Sequence, residues 1–497
     1  EARQIEIEVD IAKGLPAVVI VGLPDAAIRE SRDRVRSAIK NSGFEYPSQK
    51  ITINLAPCNI KKEGPCFDLP IAIGILTATG QLDPEYIKDF VLIGELALNG
   101  RIRPVNGSLP IAMSFKNTDK KLILPKENSM EASVVDGVTI HPVETLNQVY
   151  NFLNRTQPLA PLTAIETAHI VRPKNYELDF SEVKGQSYAK RAMEIAAAGG
   201  HNILMMGPPG SGKTMLAKRL ATILPDMTME EAIETTKIYS VSGLMSLKTS
   251  IIIGERPFRS PHHTSSDASL VGGGSTPRPG EVSLAHNGVL FMDELPEFHR
   301  NVLESLRQPL EDGYVTISRI NASIRFPSKF MLVCAMNPCP CGFLTDPKKE
   351  CHCTPPRIQK YLSKISGPLL DRIDIHIEVP SVKYKDLSDE TSGEKSETIR
   401  DRVKKARDTQ LARFKDDRIF ANAQMSYRLV RKYCKLDEPS RDLLKTALTE
   451  LGFSARCYDK ILRVSRTIAD LEGKENISSD HVSEAIQYRS LDRNMWM

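Results

Sequence analysis

The chain has 497 residues, enough for two to four domains, and its 41% hydrophobic and 26% charged residues are the balance of an ordinary globular protein. No apolar run approaches the ~18 residues of a membrane span, and a net charge of +4 excludes nucleic-acid binding driven by bulk charge, so any basic surface must be local. Nine cysteines, four of them between Cys339 and Cys353, argue against a disulfide framework and for a reduced, cytoplasmic setting with a metal knuckle. Glu1 opens the chain without a Met, inside what reads as a strand, so further residues are expected ahead of it.

Residues 1–155 read as one α/β unit. IEIEVDIAKGLPAVVIVGLP gives two strands around a turn, and AAIRESRDRVRSAIKNSG is an amphipathic helix closed by Gly43. KITINLAP is a strand, DLPIAIGILTATG an apolar helix, and FVLIGELALNGRIRPV a hairpin turning at Asn99-Gly100. SLPIAMSFKN and KKLILP add a helix and a strand. Through NLAPCNIKKEGPCFDLPIAIGIL and GELALNGRIRPVNG this stretch resembles the Lon-protease-like domain of ribosomal-S5 type. In that family the residue after Lys-x-Gly-Pro is a catalytic Ser; here it is Cys66. The partner Lys expected after Val105-Asn106-Gly107 is absent, with Ser108-Leu109-Pro110 in its place. A nucleophile without a base is not activated, so the domain is expected to be proteolytically inactive and to serve assembly or substrate handling.

Residues 156–172, with two prolines and no clear periodicity, suit a linker. A core expected over 173–380 starts with DFSEVKGQ and the helix SYAKRAMEIAAAGG. Then comes NILMMGPPGSGKTMLAK: an apolar strand, a loop of Gly207, Pro208, Pro209, Gly210, Ser211 and Gly212, and a helix opening at Lys213-Thr214. This is G-x-x-x-x-G-K-[ST] with the strand before and helix after that the motif requires. Glycines let successive backbone N–H groups turn inward as an anion nest at a helix N-terminus. Lys213 is expected to reach the β- and γ-phosphates of ATP, and the Thr214 hydroxyl to coordinate Mg²⁺.

An excursion of about 75 residues follows, long for an αβ connection. Its segment PFRSPHHTSSDASLVGGGSTPRPGEVSLAHNG is rich in Gly and Pro, and Arg256, Arg259, His262, His263 and Arg278 make the excursion locally basic. The adjacent histidines could suggest a metal pair, but neighbouring residues on a strand or helix point apart. Val289 to Met292 is an apolar strand ending in Asp293 and Glu294. Asp293 is expected to hold the Mg²⁺ shell and Glu294 to polarise the attacking water; the alternative for two acids at a strand end is a solvent-facing cap. TISRINASIRFP (316–327) alternates like a hairpin carrying Arg319 and Arg325, and FMLVCAMN ends a third strand in Asn337.

Next come Pro-Cys339-Pro-Cys341-Gly and, after nine residues, Cys351-His352-Cys353. Four thiols in two close pairs can close a tetrahedral S₄ site for Zn²⁺, with His352 as an alternative ligand; metal-free, redox-labile cysteines are the other possibility. LLDRIDIHIEVP puts Arg372 between a helix and a strand. Residues 381–423 form a charged helical connector. Residues 424–497 are a helical lid in which Arg456 starts the helix of GFSARCYDKILRVSRTIADLEG.

The order of P-loop, acidic strand, Asn337, Arg372 and Arg456 resembles AAA+ ATPases, with Asn337 as sensor 1, Arg372 as an arginine finger supplied to a neighbour, and Arg456 as sensor 2. Val183 and Gly185 resemble the adenine-side clamp; the alternative is an ordinary turn before a helix. The basic excursion and the 316–327 hairpin resemble the pore-facing inserts of the branch containing magnesium chelatase. There Arg259, His262, Arg319 and Arg325 would track DNA phosphates, the alternative being ion pairs with acids. FRSPHHTSSDASLVGGGSTPRPGEVSLAHNGVLFMDELPEF and NPCPCG, with GLPAVVIVGLPDAAIRESRDRVRSAI, extend a resemblance to the ComM/YifB family over almost the whole chain. That resemblance implies an α/β fold with a Lon-like N-terminal domain, an AAA+ domain and a helical lid. It implies a homo-hexameric ATPase acting as a helicase and branch-migration motor on single-stranded or branched DNA in transformation and recombination, with no membrane partner. A MoxR-like chaperone, a metal-chelatase motor subunit and an ATP-dependent protease are the competing classes.

Overall fold

The computed structural model describes residues 2–162, 176–245, 252–274, 277–319, 322–346, 349–382, 393–417, 419–451, 453–489 and 491. Parts of the expected linker (156–172) and connector (381–423) therefore lie outside the described residues. The chain divides into two compact units, 1–172 with 232–254, and 173–231 with 255–497. Residues 232–254, placed by the sequence boundaries inside the ATPase core, thus group with the N-terminal unit. There the Gly107 N–H donates to the Ser240 carbonyl at 3.2 Å, and Gly243 sits against the Asn106 side chain.

In the N-terminal unit the first two strands, Glu6–Ala12 and Ala17–Val21, do not pair with each other. Both flank Lys50–Ala56, antiparallel and parallel respectively. The alternating apolar residues Ile51, Ile53 and Leu55 of that central strand are buried against helices Ala26–Asn41 and Asp68–Ala78. Asp25 caps the first helix through the Ile28 N–H, and Gly43 follows it at φ 83°. FVL enters a separate parallel sheet of Phe90–Leu92, Lys121–Pro125 and Ile140–Val143. The expected long hairpin shrinks to Glu95–Leu96 paired with Ile102–Arg103 around the Asn99-Gly100 turn. The half-buried residues Phe90–Leu92 instead pair as the edge strand of that parallel sheet.

The second unit is built on a five-stranded parallel sheet. Its order is Phe258–Arg259, Val289–Met292, Met331–Met336, Ile203–Met206, Ile375–Glu378. The strand carrying the P-loop lies inside the sheet, so both its faces are covered and its sequence is a continuous apolar run. Ile203 and Met205 face one core, formed by helices Ser187–Gly199, Lys213–Ile223, Ser396–Arg413 and Ala455–Leu471. Leu204 and Met206 face the other, with Val302, Leu306 and Leu369. The hairpin Tyr314–Arg319/Ala322–Pro327 is antiparallel as its alternation predicts. The lid is helical: Tyr427–Tyr433, Glu438–Leu451, Ala455–Leu471 and Ser479–Gln487, with Ser454 capping the third and a Ser478–His481 box the fourth. No described helix is long and apolar enough to cross a membrane.

Sheet and lid are joined by a buried polar cluster. Asp374 Oδ1 lies 3.3 Å from Lys460 Nζ, and its Oδ2 lies 3.4 Å from His201 Nδ1. Burial alone would raise this carboxyl, but the Lys460 ammonium and His201 outweigh it and hold its pKa well below the usual range. The stabilisation is therefore present above the ordinary carboxylate pKa of about 4 and is lost as pH falls below it. Asp374→Ala leaves Lys460 buried without its counter-ion and is expected to destabilise the unit by about 3–5 kcal/mol, checked by denaturant unfolding.

Candidate active site

The C-terminal ends of the parallel strands converge on one edge of the sheet, where ligands bind in such folds. Gly207 ends the first strand so close to the last that a Cβ would meet the Val379 carbonyl oxygen at 2.1 Å. Gly210 (φ 77°) and Gly212 (φ 87°) take left-handed conformations, and Gly212 opens helix Lys213–Ile223. Pro208 is buried, Pro209 and Gly210 are exposed at the loop tip, and Ser211 is buried. The Lys213 ammonium donates to the Gly207 and Pro208 carbonyls at 2.8 and 2.9 Å and lies 3.3 Å from Asn337 Oδ1. Burial lowers its pKa, opposed by Asp293 and Glu294.

Thr214 Oγ1 donates to Asp293 Oδ2 at 2.7 Å. The adjacent hydroxyl and carboxylate are the hard oxygen donors that Mg²⁺ takes, so the residues fit that ion together with a nucleotide phosphate. Glu294 adopts φ 54°, which a side-chain-bearing residue enters only at a cost of about 1–2 kcal/mol, and its carboxylate is held out in the open. Its Oε2 lies 3.5 Å from His263 Nδ1. The structure thus brings Lys213, Thr214, Asp293, Glu294 and Asn337 to one edge.

Val183 is buried in the core, and Gly185 (φ 61°) turns the chain toward the P-loop. The next residue, Gln186, donates to the Ser211 carbonyl at 2.7 Å and to the Pro380 carbonyl at 3.2 Å. Sequence reasoning missed both Gln186 and His263. The pair His262-His263 was visible, but only as basic residues near DNA or as a metal pair; what matters is that strand Phe258–Arg259 lies beside the acidic strand and delivers His263 to Glu294.

Arg372 and Arg456 lie elsewhere. They line a cavity of about 630 Å³ that also takes in Asn202, Gly288 and Asp374, the residues just before three of the strands, so it opens at the opposite, N-terminal edge of the sheet. Arg372 donates to the Pro368 carbonyl at 2.5 Å and pairs with Glu311, while Arg456 Nη1 is 3.7 Å from Asp371 Oδ2.

Among the basic residues of the excursion, Arg259 is held by both Glu281 oxygens at 2.6 and 2.7 Å. This is the ion pair that the sequence left open as the alternative to a DNA contact. Arg256 is likewise engaged by Glu231 and the Asn287 carbonyl. His262 is exposed and bonded to Thr264. Arg325 is exposed and stacks over Tyr314 at 3.6 Å from the ring centroid. The side chain of Arg319 lies outside the described residues. In the N-terminal unit, burial and the neighbouring Asp68 push the Cys66 thiol up to about 12, the opposite of an activated nucleophile.

Comparison with known proteins gives the site its relatives. Residues 179–387 match the family model described as magnesium chelatase, subunit ChlI; residues 393–489 match its C-terminal model, and 7–128 a further ChlI model. The chain is 46% identical to the competence protein ComM of Haemophilus influenzae over 99% of its own length and 96% of the relative's. It belongs to the ComM/YifB family. YifB of Escherichia coli is 44% identical over 99% of this chain and 95% of the relative. Lon protease 2 of Bacillus subtilis is 25% identical over 29% of each chain, a partial likeness. The family is a magnesium-chelatase-like AAA+ one, which implies an ATPase using ATP and Mg²⁺.

Proposed function

We propose that the chain is one subunit of a ring, a homo-hexamer, that hydrolyses ATP to drive movement along single-stranded or branched DNA. The observation that carries this reading is the split of the ATPase residues between two edges of one sheet. Strand Ile375–Glu378 alone separates Arg372 from the P-loop edge by about 13 Å at ~3.3 Å per residue. Arg372 therefore serves a neighbour's nucleotide, and Arg456, in the same cavity, faces the same way.

In this arrangement the P-loop N–H groups and Lys213 bind the phosphates, and Thr214 with Asp293 holds Mg²⁺, which when bound neutralises charge on the transferring phosphoryl group. Glu294 orients and polarises water for attack, Asn337 keeps Lys213 and that water in register, and Arg372 of the next subunit stabilises charge in the transition state. Val183 and Gly185 support the adenine side. The 316–327 hairpin, with Arg325 exposed, and His262 are the candidate contacts to a phosphate backbone. The Lon-like unit serves assembly or substrate handling, and Cys339, Cys341, Cys351 and Cys353 form a structural Zn²⁺ site. Likeness to a competence protein supports a role in natural transformation and the recombination that follows it.

The deciding measurement is the ATPase rate with and without single-stranded and forked DNA. Stimulation of several-fold is expected, falling with added salt as phosphate contacts do and lost in Arg325→Ala. A rate indifferent to DNA, with no retarded complex in a gel, would instead favour a chelatase-type or MoxR-like motor acting on a protein partner, the reading that the magnesium-chelatase match supports.

A further inference from the structure

The four-cysteine loop is more than a surface staple. Cys339, Cys341, Cys351 and Cys353 each present one Sγ, all within 4.8 Å of one another, and none is in a disulfide. Cys339 lies 3.3 Å from Cys341 and 3.6 Å from Cys351, and Cys341 lies 3.6 Å from Cys351. These separations are far longer than a disulfide's ~2.05 Å. They are close to the ~3.8 Å edge of a tetrahedron with ~2.3 Å Zn–S bonds. Between strand Met331–Met336 and helix Pro355–Leu362 the described residues form no helix or strand, so the cluster itself is what gathers this loop.

The loop leans on the nucleotide site at two points. Asn337, two residues before Cys339, faces the Lys213 ammonium. Gly342, directly after Cys341 and at φ 85°, is so close to the P-loop that a Cβ there would meet Pro209 Cδ at 2.5 Å and Cγ at 2.6 Å. Its N–H is tied back to the Cys339 carbonyl at 3.0 Å. The cysteines therefore fix a backbone segment that lies against the tip of the P-loop.

We propose that Zn²⁺ bound by Cys339, Cys341, Cys351 and Cys353 controls nucleotide affinity, by holding Gly342 against Pro209 and Asn337 against Lys213. The proposal rests on the ATP reading of the P-loop. When the metal leaves, the loop loses its fixed points and the P-loop loses a wall. Because the coupling is thermodynamic it is reciprocal: nucleotide tightens zinc by the factor by which zinc tightens nucleotide.

The test uses the full chain and no turnover. Metal analysis is expected to find one zinc per chain. Zinc is stripped with a chelator under reducing conditions, and the protein is returned to Mg²⁺ buffer with or without Zn²⁺. Titration with a fluorescent ATP analogue should then show affinity at least about fivefold weaker in the stripped protein and restored by Zn²⁺ alone. Competition against a zinc chelator should show zinc held more tightly, by the same factor, when a non-hydrolysable ATP analogue is present. Gly342→Ala should keep its zinc yet bind the analogue more weakly. A protein that takes up no zinc, or equal analogue affinity with and without it, overturns the proposal. No analogue binding by the zinc-loaded protein instead sinks the nucleotide reading on which it rests.

Discussion

Glu294→Gln is expected to bind ATP as tightly as the unaltered protein and to hydrolyse it about 10²- to 10⁴-fold more slowly. The two halves of that result come from different atoms. Affinity resides in the P-loop N–H groups, Lys213 and the Thr214–Asp293 pair, and the Glu294 carboxylate bears on them through charge, as one of two acids that favour charged Lys213. Turnover needs a carboxylate to take the proton that the attacking water loses as it bonds to the phosphoryl group, and an amide of the same shape can accept that water's hydrogen bond but not its proton. The left-handed backbone at Glu294 is retained because Gln meets the same steric demand there. Fluorescent-nucleotide titration together with single-turnover hydrolysis separates the two. Weaker binding in step with slower turnover would place Glu294 in the phosphate cradle rather than beside the water.

Much of this was legible in the sequence because the local rules act on short stretches. A P-loop is a strand, a glycine-rich turn and a helix within about 17 residues, and each part has its own residue-type requirement. The 316–327 hairpin and the capped lid helices are equally local. What the sequence concealed depends on contacts between distant segments. Two strands separated by a turn near Gly14 look like a hairpin, yet Lys50–Ala56 inserts between them, because an apolar central strand is better buried with partners on both sides. Arg259 is open to a DNA contact or an ion pair until Glu281 is folded against it. His263 reads as half of a weak metal pair until the neighbouring strand brings in Glu294. The position of Arg456 on its helix was plain, but its place beside Asp371 and Arg372 follows from how the lid packs on the N-terminal edge of the sheet.

Arg372→Ala is expected to reduce ATP turnover by about 10³- to 10⁵-fold, the range of arginine fingers, although the residue lies on the far edge of its own sheet. Loss of activity alone would not distinguish a finger from a structural group, since Arg372 also holds Glu311 and the Pro368 carbonyl. Mixing does distinguish them. Lys213→Ala removes the phosphate-binding half of a site and Arg372→Ala the other half, so each protein by itself is inactive. If the halves come from different subunits, mixed rings contain junctions at which an intact Lys213 from one protein meets an intact Arg372 from the other. With equal amounts and random exchange these are about a quarter of all junctions, and activity should recover toward that fraction. If both groups served the same nucleotide from one chain, every site would lack one of them and the mixture would stay inactive. Recovery in the mixture therefore tests the ring and the direction of the finger together, without requiring that the DNA substrate be known.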